Sequence, residues 1–382
     1  MRFHVLGVPH ARTTREYSAD AFTQKVRLMC QMLTVAGHEV YHYGTEGSDP
    51  VCAEHVSVLR DSTFRMVHQD AYDWKASAFL VDMENKAFKE FEAMAIVELN
   101  SRVRKGDFLL CSFGLQHKHI ASMVPDAIAV EMGIGYEYTF AKHRIFESYA
   151  WMNYLYGKEG RGLSPNFYDA VIPNYYDLDD YLFSSEKDDY FFFIARPTML
   201  KGLEIAIKSV EAVGGRLVVA GQGKPPLTSP CMEFVGVVSI EERAKWMSKA
   251  KATFTPTYYI EPFGGTVVES LLSGTPVIAT DMGAFPETVP HGKVGYRCRT
   301  MDHFIWATRN ISRISPSDCR RWAVENYSMG RVVKMYEEYF DMLSKLHTAG
   351  SEGFYARNES RDELEWLTKA EARAAELKPV VL

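Results

Sequence analysis

Two carboxylates separated by seven residues, Glu261 and Glu269, set the chemical problem, and Pro262, Phe263, Gly264 and Gly265 follow directly on the first. A glycine pair at a helix start lets backbone N–H groups approach a ligand closely, and the first N–H groups of a helix have no partner inside it. They favour anionic or hydroxyl-rich groups. A carboxylate only accepts hydrogen bonds, and a sugar offers paired hydroxyl donors. One acid at the helix mouth and another about two turns on suit a ligand that carries both hydroxyls and negative charge. The bland alternative is a capped surface helix whose glutamates are merely solvated. The glycines, the apolar run and a second loop opened by Asp281 and Gly283 weigh against it.

The elements that must hold these residues follow from the same stretch. Thr266 to Ser273 reads as a helix, stopped by Gly274 and Pro276. Val277 to Ala279 reads as a buried strand. Strand, loop, helix, strand, loop is the beat of an α/β domain.

With 382 residues, 47% of them apolar, the chain is too long for one ordinary core and too hydrophobic for disorder, so two domains are expected. The net charge is −6, and the first 180 residues carry all of it. No basic stripe marks a nucleic-acid surface. The six cysteines, Cys30, Cys52, Cys111, Cys231, Cys298 and Cys319, are scattered without a CxxC pair, which points to a reducing compartment and away from zinc. Met1 to His10 lacks the pattern of a signal peptide, and no stretch approaches about 18 uninterrupted apolar residues. A cytoplasmic protein with no transmembrane segment is expected.

Along the chain, Arg2 to Val8 reads as a strand, Thr14 to Ala36 as a loop and an amphipathic helix, and Glu39 to Tyr43 as a second strand: a Rossmann-like opening. Residues 46–76 read as loop with short helices, and Phe79 to Val81 as a short strand. Ala87 to Arg104 reads as a helix, Asp107 to Ser112 as a strand, His117 to Met123 as a short helix, and Ala127 to Glu131 as a buried strand. Tyr136 to Tyr156 is rich in aromatics; it reads as a helix packing a core face, with an acceptor platform as the functional alternative. The acidic segment Leu178 to Asp189 marks the boundary. Beyond it, strands Tyr190 to Ala195, Arg216 to Ala220, Met232 to Val235 and Ala252 to Pro256 alternate with helices Leu203 to Val213 and Glu241 to Ala250, and helices follow to the end, the last over Asp362 to Lys378.

These residues together resemble the retaining GT-B glycosyltransferases of the GT4 type (glycosyltransferase group 1). The matching stretches are Val171 to Asp177, Phe193 to Gly202, Val218 to Gly223, Phe234 to Glu242, Glu261 to Ser270 and Gly274 to Glu287, about half the chain, in family order. The resemblance implies an α/β fold of two Rossmann-like domains facing a cleft: an acceptor-side domain over residues 1–180, a nucleotide-sugar-binding domain over 181–350, and a C-terminal helix over 351–382 crossing back to the first domain. It implies transfer of a sugar from a nucleotide-diphosphate donor, UDP- or GDP-linked, to an acceptor hydroxyl on a glycan, a lipid-linked glycan or another molecule. It implies neither a metal nor a cofactor.

By the same resemblance, Arg196 and Lys201 match the basic pair on the donor diphosphate, where two cations stabilise the leaving group's growing charge. Glu261 matches the residue on the donor-sugar hydroxyls, with backbone N–H groups of Phe263, Gly264 and Gly265 beside the phosphate. Glu269 matches the ribose ligand, Val237 the wall against the base, and Gly133 a donor-side position. No protein nucleophile is implied. The first domain departs from the pattern: a Gly-Gly loop is replaced by Pro9 to Ser18, and Glu131-Met132-Gly133 stands where the family often has a histidine. His10, His117 and Glu131 are the candidates to replace it; each also reads as an ordinary buried residue. Asp177-Leu178-Asp179 is formally a metal-binding DxD but reads as a solvated cap. Two alternatives stay open: transfer to a modified nucleic-acid base, and a catalytically degenerate nucleotide-sugar-binding protein.

Overall fold

The computed structural model describes residues 1–17, 20–68 and 82–350. The chain divides into two compact units. Among the described residues, unit 1 comprises those of Met1–Glu147 and Leu155–Tyr175 with residues 332–350; unit 2 comprises Ser148–Tyr154 and Tyr176–Arg331.

Unit 1 holds β1 (Arg2–Leu6), α1 (Ala21–Val35), β2 (Glu39–Thr45), β3 (Glu54–Leu59), α2 (Asp61–His68), α3 (Lys86–Arg102), β4 (Phe108–Cys111), α4 (Lys118–Ser122), β5 (Ile128–Ile134), β6 (His143–Phe146) and β7 (Ala170–Val171). A helix, α5 (Tyr149–Lys158), begins in unit 2 and ends in unit 1. The sheet order is β3-β2-β1-β4-β5-β6-β7, with every pairing parallel. Asp20 starts α1 by accepting the Thr23 N–H at 2.9 Å, satisfying a helix-end donor.

Unit 2 holds β8 (Phe191–Ile194), α6 (Leu203–Glu211), β9 (Leu217–Ala220), β10 (Met232–Gly236), α7 (Ile240–Lys249), β11 (Thr253–Thr255), α8 (Gly265–Leu272), β12 (Val277–Thr280), α9 (Phe285–Thr288), β13 (Gly295–Cys298), α10 (Met301–Asn310) and α11 (Pro316–Tyr327). Its sheet runs β10-β9-β8-β11-β12-β13, again all parallel. The period of two sorts its side chains between the faces. Phe191, Phe193, Leu217 and Val219 pack with Leu203 and Val210 of α6; Phe192, Val218 and Ala220 pack with Met247 of α7 on the other face. Both faces are covered, so the strands read as apolar runs. These are two Rossmann-like α/β sheets, as expected.

The last described helix, α12 (Met329–Ala349), starts in unit 2 and from Val332 belongs to unit 1. Phe340 lies 4.8 Å from the rings of both Phe3 and Phe108, and Glu337 meets His38 at 3.0 Å. The helix expected over residues 351–382 lies outside the described residues, as does the strand expected at Phe79 to Val81.

Two strands correct the sequence reading. Glu54 to Leu59, read as loop, is β3 at the sheet edge. Its burial alternates and it carries Glu54 and His55, so no apolar run announces it. Tyr136 to Tyr156, read as one helix, contains β6, and the helix begins only at Tyr149. β6 hides behind His143 and Arg144, polar residues whose burial depends on partners distant in sequence.

Candidate functional site

The parallel sheet of unit 2 brings all its carboxyl ends to one side, where open α/β sheets bind ligands at the point where strand order reverses. That point is β8 beside β11. Arg196 and Lys201 follow β8, and Glu261 follows β11. Lys201 Nζ lies 3.1 Å from Glu261 Oε2 and also donates to the Tyr259 hydroxyl. Arg196 is exposed, and among the described residues no carboxylate pairs with it. One cation of the pair is thus already held by protein and the other is open to solvent.

Glycine geometry sets this loop pair. Gly202 adopts φ +78, and a Cβ there would meet the Pro256 carbonyl oxygen at 2.0 Å, so the loop after β8 lies directly on the chain leaving β11. Tyr258 N–H donates to the Leu200 carbonyl at 2.9 Å across the same seam. Gly264 adopts φ +80 as the residue before α8, where a Cβ would press on the Phe285 ring at 2.7 Å. No side chain caps α8. Val267 N–H donates to the Gly264 carbonyl at 2.9 Å, and the Gly265 and Thr266 N–H groups ahead of it are the helix-start donors that favour an anion.

A small cavity of about 50 Å³ runs between Ala195, Lys201, Thr257, Glu261, Gly264 and Thr266. Phe263 is buried, its ring edge-on to Tyr327 at 5.8 Å. Glu269, farther along α8, pairs with Arg243 Nη1 at 3.2 Å. Val237 is half-buried in the turn after β10, at the outer end of the same row of strand ends. The structure thus gathers Arg196, Lys201, Glu261, Phe263, Gly264 and Gly265 around the carboxyl ends of β8 and β11, with Glu269 farther along α8 on Arg243 and Val237 two strands away from β8.

The other candidates belong to unit 1. Gly133 adopts φ +57, and its carbonyl accepts Lys25 Nζ at 2.6 Å. Glu131 is fully buried: its carboxylate accepts the Phe140 and Ala141 N–H groups at 2.7 Å each and the Tyr136 hydroxyl at 3.1 Å. It fastens the 136–141 turn. His10 is buried with Nε2 3.4 Å from Asp20 Oδ2, the carboxylate that caps α1. His117 donates from Nε2 to the Gly7 carbonyl at 3.0 Å, while Nδ1 is buried without a partner. Asp177 caps a turn, accepting the Asp179 N–H at 3.1 Å.

Burial holds the His117 imidazole neutral, pushed down from 6.5 to about 4. The native state then binds fewer protons than the unfolded chain between these values. The stability it contributes is complete above about pH 6.5 and is lost as pH falls toward 4, on the order of 3 kcal/mol. His117→Gln, whose amide can still donate to Gly7, should lose less stability than wild type between pH 7 and pH 4 in urea titrations. Equal losses would show that His117 is not the neutral buried group.

Tyr259 and Arg243 were not singled out from the sequence. The adjacent Tyr258 and Tyr259 carry no sign of which turns inward, and Arg243 lies 26 residues before the glutamate it meets.

Comparison with known proteins agrees with this fold. The fold is GT-B: the crystal structure of AviGT4, a glycosyltransferase involved in avilamycin A biosynthesis, superposes with a TM-score of 0.65 at 18% identity, covering 90% of this chain and 98% of that one. The Anabaena Alr3699/HepE structure in complex with UDP and glucose superposes with a TM-score of 0.58 at 14% identity, covering 88% and 98%. Residues 188–312, all within unit 2, match the family Glycosyl transferases group 1. An uncharacterized glycosyltransferase of Methanocaldococcus jannaschii is 27% identical over 171 residues, 40% of this chain and 42% of that protein. The chain thus spans under half the length of that relative. No helix among the described residues is long and apolar enough to cross a membrane.

Proposed function

We propose that the chain is a retaining GT4-type glycosyltransferase that transfers a sugar from a nucleotide-diphosphate donor to an acceptor hydroxyl without a metal. The observation that carries this is the meeting of Lys201 and Glu261 at 3.1 Å where strand order reverses, beside an uncapped helix start. A cation and N–H donors suit a diphosphate; a carboxylate suits the sugar hydroxyls attached to it.

Arg196 and Lys201 take the two phosphates, and the N–H groups at Gly264 and Gly265 add fixed dipoles. As the glycosidic bond breaks, charge grows on the leaving phosphate, and these groups gain interaction energy in the transition state. Glu261 holds the donor-sugar hydroxyls, Glu269 the ribose and Val237 the base. The leaving diphosphate itself takes the acceptor's proton on the face it departs from, so configuration is retained without a protein nucleophile. UDP- and GDP-linked sugars are the first donors to test, since the HepE structure holds UDP. A glycan or lipid-linked glycan is the first acceptor class.

The test is turnover of UDP- and GDP-sugars in EDTA, with the anomeric configuration of the product read by NMR. An α-linked product from an α-linked donor supports the mechanism; an inverted product or a strict requirement for metal contradicts it. Glu269→Ala should weaken nucleotide binding by about tenfold, the worth of a hydrogen bond to a charged group, with kcat at saturating donor little changed. A change confined to the acceptor KM would contradict the ribose role.

A further inference from the structure

The loop after β11 holds a group that the assignments above do not use. Tyr258 and Ile260 are 53% and 42% exposed, while Tyr259 between them turns inward. Its hydroxyl accepts from Lys201 Nζ, the ammonium that the Glu261 carboxylate also takes. The Lys201 ammonium also sits 4.7 Å from the Tyr259 ring centroid.

We infer that Tyr259 is a positioning residue that fixes the Lys201 ammonium for the donor's diphosphate. The inference rests on the donor-site reading above. A phenol has one proton and two lone pairs. A lone pair takes one Lys201 N–H. Glu261 Oε2 takes a second at 3.1 Å, which leaves the third N–H of the ammonium for a ligand oxygen. A lysine on four flexible carbons would otherwise lose much rotamer freedom on meeting the phosphate. A tyrosine has only two side-chain torsions, and here its backbone is tied down at the neighbouring residue by the Tyr258–Leu200 hydrogen bond. The hydroxyl also shares the lysine's charge with Glu261, so the carboxylate does not capture the ammonium alone.

The experiment is a double-mutant cycle of Y259F and K201A in the full chain. Binding of UDP and GDP is measured by calorimetry, with UMP and GMP as controls that lack the second phosphate, and thermal melts confirm folding. Y259F keeps the ring and should weaken binding of the preferred diphosphate about tenfold, the scale of one hydrogen bond to a charged group, with the monophosphate unchanged. In the K201A background, Y259F should cost nothing further, because the hydroxyl acts through the lysine. Additive losses, or equal losses for mono- and diphosphate, would mean a structural role and overturn the assignment. So would undiminished diphosphate binding by Y259F when wild type binds. Wild-type protein that binds none of the four would overturn the donor-site reading and this assignment with it.

Discussion

Lys201→Ala should lower kcat about 100- to 1,000-fold, the loss found on removing one preorganised electrostatic donor from a reacting oxyanion. The fold should survive. Lys201 is a loop residue whose side chain is 26% exposed, and its ion pair with Glu261 is not part of either core. Donor KM should rise less than kcat falls, because the charge on the leaving diphosphate is largest in the transition state. Glu261 would lose the cation it meets at 3.1 Å. Steady-state kinetics with a saturating donor measure the effect. Activity within a factor of about three of wild type would place the diphosphate elsewhere.

Arg144→Ala should destabilise unit 1 by about 3–5 kcal/mol, the cost of leaving a buried charge unpaired. Arg144 is 2% exposed at its side chain, and its partner Asp169 is fully buried. Arg144 Nε lies 3.2 and 3.1 Å from the two Asp169 oxygens; Nη1 reaches Glu159 at 3.0 Å and Thr139 Oγ1 at 3.0 Å. The guanidinium also lies over the Phe146 ring at 5.1 Å. Without it, Asp169 keeps the Tyr156 hydroxyl at 2.8 Å but no opposing charge. Arg144→Lys should fall between the two, since an ammonium keeps the charge but not the planar fork. Urea unfolding checks this; a loss under about 1 kcal/mol would mean that the network is solvated.

The same arginine shows where sequence reasoning ran out. His143-Arg144-Ile145-Phe146 looks too polar for an inner strand until Asp169 and Glu159, 25 and 15 residues later, neutralise it. β3 was missed for a related reason: an edge strand with one wet face alternates where an inner parallel strand does not. By contrast, Phe191 to Ile194 and Val277 to Thr280 are buried on both faces, and their apolar runs are visible without any structure.

At the site, the groups in contiguous motifs were legible because a strand end, a turn and a helix start are one local unit. Glu261, Gly264 and Glu269 needed only the turn they share. Tyr259 was not legible, because its inward orientation depends on the loop after β8 lying against the loop after β11. Glu131 read as the last residue of a buried strand, but β5 runs on to Ile134 and holds it mid-strand. That its oxygens are taken by the backbone of residues 140 and 141 follows only from the fold of the turn.

The central claim is that the carboxyl ends of β8 and β11 bind a nucleoside diphosphate. Thermal unfolding of the wild-type chain with UDP, GDP, ADP and CMP, in EDTA and in parallel with magnesium, tests it most directly. One diphosphate at about 100 times its Kd should add roughly 2.7 kcal/mol of stability, and the shift should vanish or shrink in Lys201→Ala. No shift with any of them, or a shift that appears only with magnesium, would contradict the account. The absence of any shift would leave a degenerate donor site as the better reading of this chain.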